Sequence, residues 1–80
     1  MKRIVWTESA KADVRRLDKP TAMRVLAALH RFAESGEGDV KTLKGRDDSR
    51  LRIGDYRLFF VSPEETIEVR KVLHRSEAYR

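Results

Sequence analysis

The chain contains no cysteine, which excludes both a disulfide framework and a thiolate metal site. Histidine is nearly as scarce: His30 and His74 are the only two, too far apart to form a recognisable metal pattern, so no metal and no other cofactor is expected. No apolar run follows the basic start Met1-Lys2-Arg3-Ile4-Val5-Trp6 at signal-peptide length, and none approaches a membrane span. A cytoplasmic protein without a membrane partner is expected. Internal repeats and low-complexity segments are also missing. Eighty residues leave room for one domain, 1–80, in which a single sheet with a helical cover is about as much as can be buried.

Positive charge is abundant. Eighteen Lys and Arg against thirteen Asp and Glu give a net charge of +5 and a pI near 10, which favours nucleic acid or an acidic protein as partner. Charge alone is a weak signal, because a solvated basic surface gives the same sum. The placement of the arginines has to decide.

Arg3 to Trp6 reads as a short strand, and Thr7 offers a side-chain oxygen to cap a helix with Glu8 near its start. Ala10, Val14 and Leu17 form the apolar stripe of that helix and leave Lys11, Asp13, Arg15 and Arg16 mostly to solvent. Lys19-Pro20 opens a second helix, carried by Ala22, Val25, Leu26, Leu29 and Phe32 until Ser35-Gly36. The segment from Ser35 to Asp48 is glycine-containing and poor in apolar residues, and reads as one long loop. From Arg50 the period changes to two, with strands at Arg50–Ile53, Tyr56–Val61 and Thr66–Leu73 and a final helical turn in the tail Ser76 to Arg80. The expected fold is α+β, in the order β-α-α-β-β-β(-α), with a small antiparallel sheet and a helical hairpin packed on one face.

Gly54-Asp55 suits a type II′ turn, which would place Ile53 opposite Tyr56 and Arg52 opposite Arg57. By parity Leu51, Ile53, Tyr56, Leu58 and Phe60 meet the helices, while Arg50, Arg52, Arg57 and Phe59 share the other face. Directly opposed like charges destabilise a strand pair by roughly 0.2–1 kcal/mol, a penalty that an anion between them would remove. If Val61 faces Thr66, Arg70 falls beside Arg57 and Glu68 near Phe59, so internal Arg-Glu pairing is the structural alternative to ligand binding. Arginine's planar fork matches phosphate oxygens in pairs, favouring an RNA or DNA backbone over a small acid. His74 and Tyr79 lie close to the same sheet and could move a proton, or could simply pack. Arg75 alternates with Val69, Lys71 and Leu73, so a bulge or the strand end would have to turn it to the basic face.

Leu43-Lys44-Gly45, Arg50-Leu51-Arg52-Ile53-Gly54-Asp55-Tyr56-Arg57-Leu58 and Val72-Leu73-His74-Arg75-Ser76-Glu77-Ala78-Tyr79-Arg80 together resemble the RelE/ParE superfamily of toxins of type II toxin-antitoxin systems, in particular its RelE branch. The likeness spans nearly the whole chain, including Thr7-Glu8 and Leu17-Asp18. It implies a microbial-RNase-like (RelE) fold and a metal-independent endoribonuclease that cleaves mRNA on the ribosome, held silent by a cognate antitoxin. The resemblance implies catalytic roles for Arg52, Arg57, Arg75 and Tyr79, with His74 as alternative acid or base, and RNA contacts from Arg50, Lys44 and Arg70. Arg50 and Arg52 stand where the best-known form has lysines. Arginine holds charge equally well but carries protons poorly, so the proton carrier is sought in Tyr79 first. The same fold also implies two other activities: a ParE-like inhibitor of DNA gyrase that acts by binding, or a homologue that has lost activity.

Overall fold

The computed structural model describes residues 1–42 and 48–78. Within them the order is β1 (Arg3–Trp6), α1 (Glu8–Arg15), α2 (Lys19–Ser35), β2 (Asp39–Thr42), β3 (Ser49–Ile53), β4 (Tyr56–Val61), β5 (Thr66–His74) and α3 (Arg75–Ala78). The helix starts are those that local chemistry dictates. The Thr7 hydroxyl accepts from the Ala10 N–H at 3.1 Å and the Asp18 carboxylate from the Thr21 N–H at 3.2 Å, each satisfying a donor that the first turn leaves orphaned. At the far end of α2, Gly36 takes a left-handed φ of +80° and its N–H closes on the Phe32 carbonyl, the conformation that favours glycine at this position.

The five strands are ordered β1-β5-β4-β3-β2. β2 to β5 form an antiparallel meander, and β1 joins β5 in parallel. The sheet is therefore mixed where an antiparallel one was expected: the helical hairpin carries the chain from one edge of the sheet to the other, and the meander back brings β5 beside β1 running in the same direction. β2 is a second correction. The stretch read as pure loop contains a strand whose four residues are all exposed, so no alternation of burial marked it. It is held by its ladder to β3, and Gly38 just before it runs so close to the core that a Cβ would come within 2.8 Å of Leu51.

Both long helices pack on one face. Ala10, Val25, Leu29 and Ala33 meet Leu51, Ile53, Leu58, Phe60, Ile67, Val69 and Val72 in one buried cluster, with the rings of Phe32 and Phe60 tilted against each other at 5.3 Å. Leu26, expected on the core stripe, is instead 39% exposed. Asp13 is corrected in the opposite sense: it is 5% exposed. Its carboxylate accepts the Val72 N–H at 2.9 Å and pairs with Arg16. β1 ends at Trp6, so the rest of β5 has no strand on that side, and the Asp13 side chain supplies the acceptor that a neighbouring strand would have given. Periodicity alone cannot foresee an aspartate used in this way.

Candidate nucleic-acid interface

The Gly54-Asp55 turn fixes the site. Gly54 has φ +57° and Asp55 has no positive φ, as a type II′ turn requires, and the register is the expected one: Ile53 opposite Tyr56, Arg52 opposite Arg57, Arg50 opposite Phe59. Leu51, Leu58 and Phe60 are buried against the helices, so Arg50, Arg52, Arg57 and Phe59 share the face away from α1 and α2.

The next strand departs from expectation. Val61 faces Glu68, not Thr66, and the register shifts by one residue between Phe59 and Phe60. Pro63 to Thr66 close a turn, with the Thr66 N–H on the Pro63 carbonyl, and Thr66 pairs with Arg3 of β1 instead. Arg70 is the extra residue of the bulge. Val69 and Val72 are both buried, which turns Arg70 and Lys71 together away from the core. Arg57 consequently faces Leu73, and Phe59 faces Lys71. The expected neighbour of Arg57, Arg70, stands away from it, with its Nε 3.1 Å from Glu68. A bulge of this kind is what the alternation of Arg75 with Lys71 and Leu73 demanded: beyond it, positions 71 and 73 belong to the arginine face.

Two cross-strand rows result. One runs Asp39, Arg52, Arg57, Leu73 and the other Lys41, Arg50, Phe59, Lys71. Asp39 and Lys41 went unnoticed in the sequence because β2 did. Arg57 is only 5% exposed, and its Nη1 donates to the carbonyls of Gly54 and Tyr56, each at 3.0 Å. Arg52 beside it is exposed. The turn also holds α3: the Arg75 N–H donates to the Asp55 carbonyl at 2.7 Å, and the Arg75 guanidinium lies 3.9 Å from the Asp55 carboxylate. α3 overhangs a cavity of about 200 Å³ lined by Asp48, Phe59, Lys71, Leu73 and Ala78. Chemically, the face offers fixed cations around an aromatic ring, an arrangement able to hold phosphates and stabilise charge that develops on them.

The family profile for the ParE toxin of type II toxin-antitoxin systems, parDE, matches residues 4–79. The chain belongs to this toxin family, within the RelE/ParE superfamily. No individually curated protein matches it. Among solved structures, the RelB-RelE antitoxin-toxin complex of Methanococcus jannaschii is similar at 23% identity, 94% of each chain covered and a TM-score of 0.78. The isolated RelE toxin of E. coli is similar at 20% identity, 99% of this chain and 96% of that one, TM-score 0.77. YafQ from E. coli strain BL21(DE3) is similar at 8% identity over the whole of both chains, TM-score 0.78. At these identities the likeness is one of fold.

Of the residues that the family resemblance singled out, Arg50, Arg52 and Arg57 stand together, Arg75 is beside them at the turn, and Arg70 is displaced into the bulge. His74 is on the helix-facing side, opposite Tyr56, its ring edge-on to the Tyr56 ring at 5.3 Å. Its Nδ1 accepts the Ser76 N–H at 3.2 Å, so the ring proton of the neutral form is on Nε2. Lys44 and Tyr79 lie outside the described residues, as does the Leu43-Lys44-Gly45 motif. Among the described residues no helix is long and apolar enough to cross a membrane.

Proposed function

We propose that this family member is a cytoplasmic endoribonuclease toxin that cleaves mRNA on the ribosome and is silenced by a cognate antitoxin. The observation that carries the reading is the Arg52-Arg57 pair. Two arginines sit at opposed positions of β3 and β4, one exposed and the other nearly buried with its guanidinium held on the turn carbonyls, and like charges at such positions favour an anion beside them. The reaction that suits such a site is in-line attack of a ribose 2′-oxygen on the adjacent phosphorus. The new P–O2′ bond forms a cyclic phosphate, the 5′-oxygen leaves with a proton, and the 2′-hydroxyl loses one. Arg57 and Arg75 stabilise the phosphoryl oxygens, and Arg50, Arg52, Lys44 and Arg70 hold the RNA backbone. Tyr79 takes the 2′-proton. The alternative base, His74, uses Nδ1 to hold Ser76 and lies on the other side of the sheet, which favours Tyr79.

An antitoxin partner is supported by the RelE relatives solved as RelB-RelE complexes and by the +5 charge, which attracts an acidic chain. Primer extension on a translated message tests the activity: wild type should give discrete cuts and Tyr79→Phe none. A second reading, inhibition of DNA gyrase by binding, is favoured by the match to the ParE family. It predicts lost supercoiling by gyrase with no cut in any message, and that outcome would replace the nuclease reading.

A further inference from the structure

We propose that the slot between Phe59 and α3 is a nucleobase subsite, in which one unpaired base of bound RNA stacks on the Phe59 ring; this rests on the RNA-cleaving reading above. Adjacent residues on β4 are used in opposite ways. Phe60 is 3% exposed and packs on Phe32 in the core, whereas Phe59, on the arginine face, is half-buried and borders a cavity of about 200 Å³. Among the described residues, Leu73 and Ala78 are its apolar companions there, and Lys71 and Asp48 complete the lining. A slot with Phe59, Leu73 and Ala78 for its apolar wall and Lys71 and Asp48 for its polar one, on a face that carries Arg50, Arg52 and Arg57, fits a ligand that is itself part aromatic and part polar.

The flanking charges say how such a ligand lies. Phe59 has Arg50 directly opposite on one side and Lys71 on the other, so the ring sits between two cations in the same row. Arg57 is two residues away on the same strand, about 7 Å along it, and a phosphate held at Arg57 puts a base of the same or the next nucleotide within reach of Phe59. Sheet aromatics that stack unpaired bases recognise single-stranded RNA with little regard to sequence, because every base has a π-face. The subsite therefore fixes where along the strand the RNA sits more than which base is taken.

An abasic scan tests this. Short single-stranded RNAs with 2′-O-methyl riboses, which cannot be cut by 2′-attack, are titrated by fluorescence anisotropy, intact and with one base deleted at each position in turn. For the wild type, one deletion should weaken binding by about fivefold or more, the size of a single aromatic stack, and the others by less. Phe59→Leu should bind intact RNA correspondingly more weakly, respond to no deletion and keep the salt dependence, since no phosphate contact changes; Phe59→Trp should restore the response. RNA binding by the wild type that ignores every deletion overturns the subsite and leaves the RNA-cleaving reading standing. So does a folded Phe59→Leu that responds as the wild type does. A wild type that binds no RNA overturns the subsite, and the RNA-cleaving reading is then decided by the primer extension alone. The scan on the wild type decides even if Phe59→Leu does not fold.

Discussion

The two faces of this sheet are made by the same strands from alternate residues, yet they answer to different physics. On the helix side, Leu51, Leu58, Ile67 and Val69 are at most 1% exposed, and the face is stable because water is excluded from it. On the other side Arg52 opposes Arg57 and Arg50 flanks Phe59, an arrangement that folding tolerates more than it rewards. The helix side holds the molecule together, and the arginine side uses the rigidity so obtained to keep like charges close. Loss of stability and loss of function should therefore separate by face.

The largest expected effect comes from the covered face. Leu58→Ala should lower the unfolding free energy by about 2–5 kcal/mol, measured by urea titration, and carry activity down only with the folded fraction. Arg57→Ala should do the reverse, with cleavage of a translated message falling by about 100-fold or more at a much smaller cost in stability; normal cutting by a folded variant would break the comparison. Asp13→Ala tests the join between helix and sheet. It strands the Val72 N–H and should cost about 1–3 kcal/mol without moving the arginines, as circular dichroism melting against RNA affinity would show.

Arg52→Thr, at an exposed position, should change stability by less than about 0.5 kcal/mol. Its RNA affinity should nevertheless fall, with the salt dependence reduced by about one phosphate contact. The smallest effect concerns pH. The hydrogen bond from Thr21 holds the Asp18 carboxyl below the usual carboxylate value. The cap it makes on α2 is thus fully present above the unfolded carboxylate range and is lost as pH falls through the lowered value. Helicity that fades in that window for the wild type, and not for Asp18→Ala, is the expected result.

Much of this could be read in advance where the signal was local. The Thr7 and Asp18 caps, Gly36 closing α2 and the Gly54-Asp55 turn each depend on a few neighbouring residues, and the turn by itself set the faces of β3 and β4. Reading failed where a distant partner decided. β2 has no burial pattern because β3 alone holds it; Asp13 is polar by composition but buried because β1 ends early; Arg70 was set beside Arg57 by an alternation that a single extra residue broke.

The arginine-bearing hairpin was thus determined by the sequence alone, since alternation and a two-residue turn leave one register. Which residues of β5 complete its face was decided by tertiary structure. The bulge at Arg70 falls just past Val69, the last residue of β5 that pairs with β1, and a period of two cannot report where along its length a strand gains or loses a neighbour.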